Sequence, residues 1–155
     1  MEITRAQIGD IKAIDNLLRQ ILTVHRNARP DLFKSGAKKY TDEQLAEIIT
    51  DDSKPIFVTK ENGRVLGYAF CMFICHRDDN ILTDIKTLYI DDLCVDENAR
   101  GKHIGRQLYE YVLEFAKNHG CYNVTLNVWA DNTNAVEFYK KCGLKPQKIG
   151  MEKIL

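Results

Sequence analysis

Apolar residues recur along this chain in two rhythms, one helical and one strand-like, and the switches between them mark its elements. Glu2 to Arg5 reads as a short edge strand. Ile11, Ile14, Leu17, Leu18, Ile21 and Leu22 keep helical spacing after Gly9-Asp10, and Arg29-Pro30 ends that run. Thr41 with Gln44 resembles a capping box and opens a second helix through Ile49, leaving residues 25–40 irregular. Ile56 to Thr59 and Val65 to Ile74 are strand-like around Asn62-Gly63, a pair suited to a tight hairpin turn. After a polar turn at Arg77 to Asn80, Ile85 to Val95 is a further strand. Ile104, Leu108, Tyr111, Val112 and Phe115 form the stripe of the next helix, and Gly120 suits its stop. Val124 to Trp129 predicts a strand, Asn134 to Cys142 a short helix closed by Gly143, and Leu144 to Leu155 one or two short strands around Gly150. The order β-α-α-β-β-β-α-β-α-β predicts an α/β (α+β) protein with a mixed sheet and helices on its faces.

Composition narrows the classes. A chain of 155 residues, 45% apolar and 28% charged, fits one globular domain with a real core. Basic and acidic residues balance at 22 each, which disfavours a nucleic-acid partner. No apolar run reaches membrane-spanning length and no signal peptide opens the sequence, so a cytoplasmic location without membrane association is expected. Cys71, Cys75, Cys94, Cys121 and Cys142 are odd in number and scattered over predicted elements, which argues against a disulfide framework. Cys71, Cys75 and His76 lack a second ligand pair and read as buried thiols rather than a metal site.

The chemistry concentrates in two places. From Tyr89 to Tyr109 an apolar strand meets a polar turn, then the loop Arg100-Gly101-Lys102-His103-Ile104-Gly105, then an amphipathic helix. Free amides and two cations at a helix start attract phosphate. The loop is neither a Walker sequence nor a dinucleotide glycine fingerprint. In the second place, a helix starting near Asn132 puts Asn132, Ala135 and Tyr139 on one face, with Tyr139 about two turns or roughly 10 Å along. Taken singly, Asn132 is a good helix cap and Tyr139 a good amphipathic core residue.

Together these two stretches resemble the GNAT superfamily of N-acetyltransferases, over nearly the whole chain. The family's acetyl-CoA loop runs Gln/Arg-x-x-Gly-x-Gly/Ala; Arg100 and Gly105 match its ends, and His103 replaces the middle glycine. A right-handed helical backbone there would suit His as well as Gly. The resemblance implies a mostly antiparallel sheet and acetyl-CoA as cofactor. Leu93, Cys94 and Val95 would bond the pantetheine arm, and the amides of Arg100, Gly101, Lys102, His103, Ile104, Gly105 and Arg106 would cradle the pyrophosphate. Asn132 would bond the pantetheine region, with Ala135 on the same helix face and Tyr139 toward the sulfur. It also implies a bulge near Asp92 that splays this strand from the next.

The activity so implied is direct acetyl transfer to a primary amine: a small molecule, a polyamine or a peptide α-amine. Tyr139 is the expected proton donor to the thiolate. Asp91 is the expected base, with Asp92 its rival, because a bulge can reverse which face a strand residue takes. Cys94 and Cys142 have no neighbouring histidine and are not expected to carry an acyl group; His25, His76 and His119 read as surface or packing residues. The acceptor is expected to meet the segment from His25 to Lys39 and the last strands. The alternative on the same fold is a non-catalytic CoA-binding module, and a homodimer stays open.

Overall fold

The computed structural model describes residues 1–155. One five-stranded sheet runs in chain order: β1 (Glu2–Arg5), β2 (Ile56–Glu61), β3 (Arg64–Cys75), β4 (Lys86–Val95) and β5 (Asn123–Leu126). The first four strands are antiparallel neighbours, and β5 lies parallel to β4. Hairpins join β2 to β3 and β3 to β4, whereas β1 reaches β2 through a long helical connection; helix α3 (Ile104–Asn118) makes the crossover that a parallel pair needs.

Helices cover both faces. On one, α1 (Ile11–Ala28) and α2 (Asp42–Thr50) set Ile14, Leu17, Leu18, Leu45 and Ile49 against Ile56, Val58, Tyr68 and Phe70. On the other, α3 sets Leu108, Tyr109, Val112 and Ala116 against Phe57, Ala69, Leu88 and Ile90. Each large aliphatic side chain fully buried here contributes about 1.5–3 kcal/mol. The cap of α2 is as expected: Thr41 Oγ1 accepts from Gln44 N at 3.1 Å and Gln44 Oε1 from Thr41 N at 2.9 Å. A last helix, α4 (Thr133–Lys141), follows β5. No helix is long and apolar enough to cross a membrane.

Two expectations fail at the C-terminal end. Strand β5 stops at Leu126 instead of reaching Trp129, and residues 144–155 form no strand. That tail leaves Ile149, Met151 and Ile154 exposed, held by a forked contact of Arg29 on Glu152 at 2.8 Å. Alternation of apolar residues marks where a strand is able to form; it does not supply the neighbour that a strand requires.

Candidate active site

The site is built by an irregularity in the β3–β4 ladder. Phe70 pairs with Asp92 and Cys71 with Ile90, so Asp91 is an extra residue on β4 without a partner on β3. This bulge lies next to the expected position. It flips the parity of the strand. Leu88 and Ile90 face α3, whereas beyond the bulge Cys94 packs toward α1 with Tyr68 and Phe70. Asp92 follows Cys94 onto the α1 face, where Tyr68 Oη donates to its Oδ2 at 2.8 Å. The parallel β4–β5 pairing also ends here, at Ile90 with Leu126. Beyond that pair, Leu93, Cys94 and Val95 present one strand edge to no neighbouring strand.

The two carboxylates differ. Asp92 is nearly buried, its side chain 12% exposed, and Asp91 is 39% exposed. Burial pushes the Asp92 carboxyl above the usual range, against the opposing pull of Lys39 and the Tyr68 hydroxyl. Lys39 reaches both, its Nζ 3.2 Å from Asp91 Oδ2 and 3.9 Å from Asp92 Oδ2. Burial works against the Lys39 charge, but Asp92, Tyr40 and Asp91 outweigh it and raise its pKa. Tyr40 stacks on Phe70 with ring centroids 5.9 Å apart. His25, half-buried and with its pKa lowered mainly by burial, stacks on Phe33, and Phe33 meets Trp129 edge-on.

Tyr139 approaches from α4. Burial first, and the Asp92 charge second, push its phenol well above the ordinary tyrosine value. It therefore keeps its proton at neutral pH and sits within the electrostatic reach of Asp92 and Cys94. Asn132 caps α4, its Oδ1 accepting from Ala135 N at 3.3 Å, which leaves its amide N–H groups free. Burial raises the Cys94 thiol to about 12, too high for a thiolate nucleophile at neutral pH.

The expected phosphate loop begins α3. The N–H groups of residues 101–106 donate to no acceptor, as the first amides of a helix do unless something meets them. Gly101 has φ +85°. His103 has φ +59° and ψ +18°, a left-handed backbone and not the helical one expected, so the residue that replaces the family glycine occupies the conformation glycine favours. Ile104 turns its side chain into the core beside Leu66 and Ala99, offering only backbone. Arg106 is taken up by Glu110 at 2.9 Å, and Lys102 lies 3.4 Å from Glu61. Gly105 packs under Phe138 of α4 and beside Val95.

A strand pair that opens beside free helix-start amides is the arrangement expected from the resemblance, and comparison with known proteins agrees. The model of the Acetyltransferase (GNAT) family matches residues 19–144. The chain belongs to the GNAT acetyltransferase family. Over 139 residues it is 27% identical to an uncharacterized N-acetyltransferase of Methanocaldococcus jannaschii, covering 88% of this chain but only 58% of that protein. It is 28% identical to the thialysine N-epsilon-acetyltransferase of Mus musculus, with 88% of this chain and 73% of the relative covered. Among solved structures, a tetramutant of the BH1408 protein of Bacillus halodurans superposes over 100% of both chains with a TM-score of 0.95 at 28% identity.

Around Asp91 and Asp92 lie four side chains that the sequence reading left out of the chemistry or named only as acceptor-side candidates: Tyr68, Lys39, Tyr40 and His25. Tyr68 had one legible signal, its shared parity with Phe70 on a strand that is apolar on both faces. Lys39 and Tyr40 had none beyond their place just before the α2 cap.

Proposed function

We propose that residues 1–155 form one GNAT domain that transfers an acetyl group from acetyl-CoA to a primary amine in a reducing, cytoplasmic setting. The observation that carries this reading is the buried Asp92 carboxylate, hydrogen-bonded by Tyr68 at the bulge where the edge of β4 opens, with the buried Tyr139 phenol of α4 feeling its charge. The relative named for thialysine N-epsilon acetylation supports an alkylamine acceptor. Five unpaired cysteines suit the compartment.

In this reading the amides of residues 101–106, with Arg100 and Lys102 nearby, hold the diphosphate of the cofactor. The backbone edge of Leu93, Cys94 and Val95 and the free amide of Asn132 hold its pantetheine arm, with Ala135 leaving room on the α4 face. The cofactor supplies an acetyl group activated as a thioester. An alkylammonium of pKa about 10 must lose a proton before it attacks. Asp92 takes that proton; its raised pKa makes it a stronger base than an exposed carboxylate, which favours it over Asp91. Asp91 then contributes negative charge at the mouth. Tyr139 gives its proton to the departing thiolate, and the second proton that the nitrogen loses on becoming an amide restores the phenol.

The test pairs calorimetric titration of CoA with thiol release from acetyl-CoA over a panel of primary amines. Tyr139→Phe is expected to bind CoA like wild type and to turn over about 10²–10⁴-fold more slowly. Saturable CoA binding without transfer to any amine would favour the non-catalytic module instead. No saturation at about millimolar CoA would end both readings.

A further inference from the structure

We propose that Lys39 is a tethered occupant of the acceptor subsite: its ammonium holds the place of the substrate ammonium, and an acceptor amine binds by displacing it. This rests on the reading of Asp91 and Asp92 as the carboxylates that face the acceptor.

Lys39 Nζ sits in reach of both carboxylates, at 3.2 Å from Asp91 Oδ2 and 3.9 Å from Asp92 Oδ2. It also lies 5.4 Å from the centre of the Tyr40 ring. A primary alkylammonium has the same head group as a lysine side chain and would seek the same partners. Any amine that gives its proton to Asp92 must come within hydrogen-bond distance of that carboxylate, where Lys39 now competes.

The backbone around Lys39 is built to yield. Residues 34–40 belong to no helix or strand and make no backbone–backbone hydrogen bond. Side chains hold the segment: Lys38 pairs with Asp42 at 2.8 Å and with Asp15 at 3.7 Å, Lys39 pairs with Asp91 and Asp92, and Tyr40 packs on Phe70. Gly36, at φ +63°, supplies a turn in it. Swinging Lys39 outward breaks no secondary structure. Its side chain is 31% exposed, so a path to water exists. The consequence for specificity is direct. Displacing Lys39 removes one positive charge from beside the two aspartates, so acceptors that are cationic as they arrive are selected over neutral ones.

The experiment uses protein without acetyl-CoA and n-butylammonium chloride as probe, followed by calorimetry or NMR at low and moderate salt. Lys39→Met and Lys39→Gln are expected to bind the probe roughly ten- to a hundredfold more tightly than wild type, with a gain that shrinks as salt rises. Lys39→Arg is expected to show no gain. Unchanged or weaker binding in both neutral variants, each melting cooperatively, would overturn the proposal. Because no transfer is measured, the two readings fail separately. A gain in affinity with no acetylation of any amine leaves Lys39 as the occupant and removes the catalytic reading. Amine acetylation with no gain does the reverse.

Discussion

Tyr68 and Asp92 meet diagonally across the β3–β4 ladder, the phenol donating at 2.8 Å to a carboxylate that the neighbouring bulge has turned into the α1 side of the core. The bond stabilises the charged form of a group that burial disfavours. Tyr68→Phe keeps the ring, which is fully buried, and deletes only the donor. The Asp92 pKa is expected to rise further, so the acid limb of the pH profile of kcat/KM should move to higher pH. Stability is expected to fall by about 1–3 kcal/mol. An unmoved acid limb would show that Asp92 is not the group whose ionisation limits the reaction.

Asp92 itself is expected to cost the fold stability. Its folded pKa is raised above the ordinary, unfolded value, mainly by burial. Below the unfolded value both states are protonated and no cost arises. As pH climbs past the folded value both states are ionised, and the folded one carries the burial penalty. Asp92→Asn should therefore melt higher than wild type at neutral pH, and the difference should shrink toward about pH 3. Acetyl transfer should fall at the same time, a stability gain at the expense of function. A variant that melts lower at neutral pH would mean that Lys39 and Tyr68 more than offset the burial.

The placement of the two contiguous stretches was legible in the sequence. The α3 loop and the α4 face each lie within one element, where spacing alone decides what points together. Which of Asp91 and Asp92 turns inward was not, because it depends on one extra residue in a ladder whose partner strand is about twenty residues away in sequence. Lys39 and His25 come from a loop and a helix end whose approach to β4 is fixed by tertiary packing. His103 was misjudged for a local reason: the loop–helix boundary needs a left-handed residue there, and the residue type alone does not disclose that.

Gly67 sets the distance between β3 and the opened edge. A Cβ built at this position would lie 2.9 Å from the backbone oxygen of Cys94, and a backbone atom has little room to give. Gly67→Ala is expected to push β4 outward and to cost about 1–3 kcal/mol in a denaturant titration. CoA affinity should weaken with it, since Leu93, Cys94 and Val95 lie along the displaced edge. Full stability in the variant would show that the ladder relaxes around the methyl group.

His103 provides the sharpest trial of the phosphate loop. A residue with a Cβ pays about 1–2 kcal/mol in the left-handed region, and His103 recovers none of it through a side-chain cap on α3. Glycine avoids that strain but gives back about 0.5–1 kcal/mol in chain entropy. His103→Gly is therefore expected to be neutral to stabilising, by less than about 1.5 kcal/mol. Its amide keeps the same direction, so CoA affinity measured by calorimetry should hold or improve. A clear loss of affinity would instead mean that the imidazole itself touches the ligand, and that the strained backbone is kept for the sake of that contact.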